Sequence, residues 1–301
     1  MKIGIPQGLY FYEYGDLWKC FLESLGEDVV ISSDTSEKTI KTGTEICTGG
    51  ACLPIKVYHG HIIDLLEKNP DALFLPRITK PYKDTFTCPK VMGVNDMIRS
   101  AVGNDIRIIE PTLSGNLQRF CFSTGQMLGY FPYDIIKAYK NLLKYQNQKE
   151  FGEAERLNED GINIAIIGHP YLVYENCVNM NIEKMLKEQG CNVLTPRNFE
   201  SEKVFHNPDI IKKDFFWSTG DKSMNFINSV SEKSEVDGII YLSSFGCGPD
   251  AFVLPFLRKC AENNETLFID LSFDEHTGEE GVKTRVEAFV EMIRRKKEVA
   301  V

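Results

Sequence analysis

The chain has no run approaching the roughly 18 consecutive apolar residues that a membrane-spanning helix requires. It has no excess of positive charge. Lys and Arg total 34 against 43 Asp and Glu, a formal net charge of −9. An acidic chain of this kind is a poor non-specific partner for nucleic acid or an anionic membrane, although a local basic pocket can still take a small anion. No Gly-x-x-x-x-Gly-Lys-Ser/Thr phosphate loop occurs, so no nucleotide-hydrolysing motif of that type is present. No Cys-x-x-Cys knuckle occurs either, which weighs against a structural zinc site. The first residues, MKIGIPQGLYFYEYGD, lack the apolar stretch of a secretory leader. The expected location is therefore the cytoplasm.

What is present is a folded-protein composition, with 43% hydrophobic and 26% charged residues in 301. That length suits two domains of ordinary size. Short apolar runs alternate with helical patterns. KIGIP (2–6), EDVVIS (27–32), DALFLP (71–76) and IRIIEP (106–111) read as buried parallel strands, with helical periodicity around 15–25, 54–68, 92–102 and 113–129. The segment 133–158 reads as a long helix with a polar second half. The alternation then restarts with strand candidates 162–170, 192–196, 237–244 and 266–272, and helical patterns around 178–189, 220–232, 249–263 and 280–297. The predicted fold class is α/β: an N-terminal domain over 1–132, a helical connector over 133–160 and a C-terminal domain over 161–301, both domains Rossmann-like with parallel sheets. GIPQGLYFYE (4–13) and IGHPYLVYE (167–175) resemble each other, as expected of an internal duplication. Ligands of such sheets gather beyond the strands' carboxyl ends, so the two domains are expected to face each other across a binding cleft.

Nine cysteines in a cytoplasmic chain are poor candidates for disulfides. Cys20, Cys191 and Cys260 fall in helical patterns or at a helix-to-strand junction and read as small buried residues. Cys52 in ACLPIK, Cys88 in TFTCPK and Cys247 in FGCGPD form a set. Each is expected past a strand end, beside a proline, at or near a helix start, where backbone N–H groups and partial positive charge stabilise thiolate and sulfide. Three well-separated thiols suit an iron–sulfur cluster with one iron open to an external ligand. Cys47 in the same glycine-rich loop, Cys121 on a helical pattern and Cys177 at a strand-to-helix turn form a second candidate set. Zinc, or no metal at all, stays open.

The blocks CLPIKVYHGH (52–61), TCPK (87–90) and FGCGPD (245–250), supported by GIPQGLYFYEYGDLWKCFLESLG, DALFLPRI, IIGHPYLVYE and FDEHTGEEGVKTRVEAF, resemble the 2-hydroxyacyl-CoA dehydratase superfamily. The resemblance is to its stand-alone branch of acyl-CoA dehydratase activase-related proteins and runs nearly the whole length. It implies two Rossmann-like domains with an iron–sulfur cluster between them. It also implies a separate partner, a homodimeric ATP-hydrolysing activase with its own [4Fe-4S] cluster, which supplies low-potential electrons. Cys52, Cys88 and Cys247 fall on the usual cluster positions. Cys47, Cys121 and Cys177 are additions that point to a double-cubane [8Fe-9S] cluster and reduction of a small molecule, with a single [4Fe-4S] cluster as the runner-up. The alternatives are dehydratase-like radical dehydration of a 2-hydroxyacyl-CoA and a non-catalytic cluster or electron-carrier subunit. The actin-like activase signature is missing, so this chain is not expected to be the ATPase.

Four other residues enter as weaker catalytic candidates. His59 and His61, two positions apart on one helix, point to different faces and cannot chelate one ion together, but one can serve a cleft as proton donor. Arg77 ends a strand where cleft charge would be offset. Glu45 is a loop carboxylate. Asp274, Glu275 and His276 read as helix capping around Thr277 and Glu280. A homodimer of this chain is left open. A two-domain sugar- or amide-binding module is a third reading, which the cysteines and the missing leader weigh against.

Overall fold

The computed structural model describes residues 1–81, 85–103, 105–149, 161–197, 215–232 and 236–300. The chain divides into two compact units, Met1–Glu153 and Ala154–Val301. Both are α/β, and every strand pairing in the described residues is parallel. The connector expected over 133–160 is described only to residue 149, and its remainder lies outside the described residues.

The first unit runs β1 (Lys2–Ile5), α1 (Phe11–Ser24), β2 (Asp28–Ile31), α2 (Glu37–Ile46), α3 (Leu53–Glu67), β3 (Ala72–Phe74), β4 (Arg77–Lys80), α4 (Pro89–Met92), α5 (Val94–Val102), β5 (Arg107–Ile109), β6 (Thr112–Ser114), α6 (Leu117–Leu128) and α7 (Pro132–Lys149). Its main sheet has the order β2-β1-β3-β5. The central strands β1 and β3 are buried apolar runs, as a parallel sheet covered on both faces demands. Helix α7 packs along α1 and α6 within this unit.

The second unit runs β7 (Ile162–Gly168), α8 (Pro170–Val173), α9 (Ile182–Glu188), β8 (Cys191–Leu194), α10 (Ser218–Glu232), β9 (Gly238–Ser244), α11 (Gly248–Asn263), β10 (Leu267–Phe273) and α12 (Glu279–Ala300). Its sheet has the order β10-β9-β7-β8. Numbered within each unit, both sheets read 2-1-3-4. In each, the chain reverses its direction of travel across the sheet beside the first strand, between β1 and β3 and between β7 and β9. Such a reversal opens a crevice outside the strands' carboxyl ends.

Three elements depart from the sequence reading. DALFLP and IRIIEP each predict one strand, yet each strand breaks at its proline. Pro76 and Pro111 have no N–H to continue a ladder, and the chain resumes as a separate two-stranded sheet of β4 and β6, with Arg77 opposite Thr112 and Ile78 opposite Leu113. The helical pattern expected from 113 therefore begins only at Leu117. Helix α2 was not expected, because EKTIKTGTEI holds three threonines and a glycine and has little apolar periodicity. Its start is fixed by a reciprocal cap, in which Ser36 Oγ accepts from Thr39 N–H and Thr39 Oγ1 accepts from Ser36 N–H. Its body is fixed by contact with α3. A Cβ on Gly43 would lie 1.9 Å from the Lys56 carbonyl oxygen, and one on Gly60 would lie 2.0 Å from the Thr39 carbonyl oxygen. The helices meet backbone to backbone, and only glycine fits at either position.

Among the described residues no helix is long and apolar enough to cross a membrane. Replacing Gly43 or Gly60 by Ala forces α2 off α3. Each substitution is expected to cost about 1–3 kcal/mol, as overpacking does. It would appear in urea denaturation as a lower midpoint at unchanged slope, and a wild-type midpoint in both variants would show that the contact is not this tight.

Candidate functional site

Three of the predicted thiols stand at helix starts. Cys52 is the N-cap of α3, Cys88 of α4 and Cys247 of α11, each with extended ψ and a proline at the first or second helical position. None of the three sulfurs makes a side-chain capping bond to its own helix, and all three are half-buried. Cys88 is placed by its neighbour. Thr87 donates its N–H to the Thr79 carbonyl (3.1 Å) and its hydroxyl to the Ile78 carbonyl (2.7 Å), pinning the start of α4 to β4.

Cys47 and Cys52 bracket the glycine-rich loop between α2 and α3. Cys47 is the C-cap of α2, its N–H bonded to the Gly43 carbonyl. Lys90, one residue past Pro89 on α4, reaches this loop and donates from Nζ to the Gly50 carbonyl at 2.9 Å. That bond ties the loop carrying Cys47 and Cys52 to the helix that Cys88 starts. Burial pushes the Cys47 thiol up, against bonds from Thr48 and the positive charges of Lys56 and Lys90. Cys121 stands in a different setting. It is buried within α6, and burial alone pushes its thiol up to about 12.

Cys177 lies in the turn between α8 and α9, half-buried. Its N–H donates to Glu175 Oε1 at 3.3 Å. Burial pushes the Glu175 carboxyl up to about 7, and this N–H opposes the shift.

Cys247 has a neighbour that sequence reading missed. His169 follows β7 directly and is the N-cap of α8, before Pro170. Cys247 follows β9, the strand paired with β7 at the crevice. His169 Nε2 lies 3.1 Å from Asp250 Oδ1 and 3.9 Å from Cys247 Sγ, while Nδ1 meets Thr219 Oγ1 at 2.9 Å. The imidazole also stacks on Tyr171, centroids 4.6 Å apart. Asp250 further accepts from Tyr241 O–H (2.8 Å) and Ser244 N–H (3.2 Å). Burial works to raise the Asp250 carboxyl, but His169, Tyr241 and the Ser244 N–H outweigh it and hold the group below the ordinary range. The Nε2, Sγ and carboxylate oxygen all lie within 4.8 Å of one another, a donor set able to take a metal ion. One signal for His169 was in the sequence: GHP repeats the strand-end, helix-start, proline pattern of Cys247. Asp250 had no such signal.

The four weaker candidates are placed as follows. His59 is buried and donates Nδ1–H to the Ile55 carbonyl at 2.8 Å, and burial lowers its pKa. His61 is wholly buried, with Nδ1 on Ser32 Oγ (2.9 Å) and Nε2 on Thr35 Oγ1 (3.0 Å), and burial lowers its pKa to about 4. Arg77 bonds Glu110, Asp96 and the Met92 carbonyl, joining β4 to α5. Glu45 is exposed on α2 rather than in a loop. The expected cap at Thr277 takes another form: its hydroxyl donates to Asp274 Oδ1 and accepts from Asp274 N–H, closing a turn before α12.

Residues 2–199 match the family described as CoA enzyme activase uncharacterised domain, and residues 121–293 match the 2-hydroxyglutaryl-CoA dehydratase D-component family. No curated protein matches the chain. Among solved structures, a periplasmic ribose ABC transporter from Conexibacter woesei DSM 14684 is 13% identical over 88% of this chain and 68% of that chain, with a TM-score of 0.24, a likeness that carries no argument.

The burial of His61 sets a pH dependence. Its folded pKa of about 4 lies below the ordinary histidine value of 6.5, so the unfolded chain binds the extra proton between those values. Stability from His61 is complete above pH 6.5 and is lost as pH falls towards 4, by roughly 3 kcal/mol in all. Urea midpoints taken across this window should fall less steeply in His61→Gln than in the wild type. Equal slopes would place the titration elsewhere.

Proposed function

This chain belongs to the superfamily of 2-hydroxyacyl-CoA dehydratases and their activase-related proteins, and from that premise we propose that it is a dehydratase-component-like iron–sulfur protein that receives electrons from an ATP-driven donor. Cys52, Cys88 and Cys247 are the proposed ligands of a [4Fe-4S] cluster. The observation that carries this reading is the shared placement of the three thiols, each the N-cap of a proline-started helix, with Lys90 tying the Cys52 loop to the Cys88 helix. A soft, all-thiol donor set suits iron and sulfide, and helix N–H groups suit the sulfide charge.

When bound, such a cluster stores a low-potential electron and offers an open iron to a ligand. The chain's own residues hold it and set its surroundings. The activase is the proposed source of the electron, since neither a phosphate loop nor an activase signature occurs here. The proposed activity is reduction of a small molecule on a double-cubane [8Fe-9S] cluster, with Cys47, Cys121 and Cys177 as the added ligands. Cys121 decides between the two clusters. Burial pushes its thiol up to about 12, so a bound iron would have to displace a firmly held proton there. With three ligands, dehydration of a 2-hydroxyacyl-CoA or an electron-carrier role is the better fit.

Iron and acid-labile sulfide, measured per chain on protein purified without oxygen, test the proposal. Cys52→Ala, Cys88→Ala and Cys247→Ala are each expected to lose most of the bound iron. If Cys47→Ala, Cys121→Ala and Cys177→Ala lose about half, the double cubane stands; if they retain all of it, the single cluster does. Iron-free wild-type protein, or one zinc without sulfide held by His169, Cys247 and Asp250, would sink the cluster reading.

A further inference from the structure

The His169–Asp250 pair stands beyond the thiols and answers to no part of the reading above. Its geometry constrains one hydrogen atom. Asp250 Oδ1 is an acceptor here, since it also takes the Tyr241 O–H, so the His169 nitrogen 3.1 Å from it is assigned the hydrogen. That same nitrogen is the one 3.9 Å from Cys247 Sγ. The ring has little freedom to turn away: Thr219 holds Nδ1, Tyr171 stacks on one face, and the residue is 5% exposed. The approach is set by the fold, because β7 and β9 are paired and His169 and Cys247 leave their carboxyl ends side by side. The Cys247 N–H, bonded to the Ser244 carbonyl at 3.0 Å, fixes the other side of the contact.

We propose that His169 is a positioning residue for the Cys247 sulfur: its Nε2–H, with Nδ1 held by Thr219, is shared between Asp250 Oδ1 at 3.1 Å and, as the longer branch, that sulfur at 3.9 Å, and this second branch raises the reduction potential of a cluster bound there. This rests on the reading of Cys247 as a cluster ligand. A donor aimed at a ligand sulfur stabilises the extra negative charge of the reduced cluster more than the oxidised one, and hydrogen bonds to sulfur are among the levers that set such potentials. Asp250 keeps Tyr241 O–H and Ser244 N–H as donors when His169 is replaced. Donation to the sulfur is therefore separable from packing.

The test is the midpoint potential of the anaerobically purified full chain, followed by EPR during a redox titration, with iron counted in the same samples. His169→Leu removes the donor. His169→Asn places an amide nitrogen near the old Nδ1, out of reach of Cys247, and His169→Gln places one near the old Nε2. The Leu and Asn variants are expected to show a lower potential at wild-type iron content, and the Gln variant to return it towards wild type. Should His169→Leu fail to fold, the contrast of Gln with Asn, both polar amides, decides alone. Identical potentials in iron-loaded Asn, Gln and wild-type protein overturn the proposal and leave the cluster standing. Iron-free wild-type protein overturns the cluster reading itself and this proposal with it.

Discussion

Parallel pairing is the constraint on which the rest of the structure depends. A parallel neighbour cannot be reached by a tight turn, so each strand is followed by a crossover that returns the chain to the same end of the sheet. All carboxyl ends of a sheet then share one edge, and the helices that follow start there. His169 and Cys247 come to that edge on the paired strands β7 and β9. Cys88 reaches its helix start by an extension of the same logic, because β3 breaks at Pro76 and β4 carries the chain on to the Thr87 anchor. The chemistry-bearing side chains are thus products of topology before they are products of any local motif.

Cys52 is the exception, since it follows a helix and not a strand. Its position depends on the contact of α2 with α3 at Gly43 and Gly60. The helix pair holds both ends of the glycine-rich loop, with Cys47 closing one helix and Cys52 opening the next. Lys90 then fixes the loop's middle from α4. A loop with two adjacent glycines has high conformational entropy, and three separate attachments offset it.

The sequence made the main sheets legible because buried parallel strands are short, continuous apolar runs, and KIGIP, DALFLP, INIAIIGHP and DGIIYLSS are of that kind. It also marked Cys52, Cys88 and Cys247, because proline one or two residues past a cysteine is a local sign of a helix start. Helix α2 was not legible, since its stability comes from a backbone contact with α3 and not from its own periodicity. Nor was the breaking of two strands into a second ribbon, although Pro76 and Pro111 stood in plain view at both breaks. The environment of Cys247 was beyond local pattern altogether, because His169 lies 78 residues away in sequence. His61 shows the same limit in the first unit: its bonds to Ser32 and Thr35, which make it a core residue, join β2 and its following loop to α3.

The two units stabilise their thiols by different physical means. In the first, Lys56 and Lys90 place fixed positive charge near Cys47, where it opposes the burial that would keep the thiol protonated. In the second, the groups beside Cys247 are an oriented imidazole and a buried carboxylate. A cation lowers the energy of any nearby anion, whatever its redox state, and so favours holding a thiolate or cluster in place. A hydrogen-bond donor beside one sulfur acts on that atom locally. The lysines of the first unit thus act on Cys47, a thiol that closes a helix, and the imidazole of the second stands beside Cys247, a thiol that starts one.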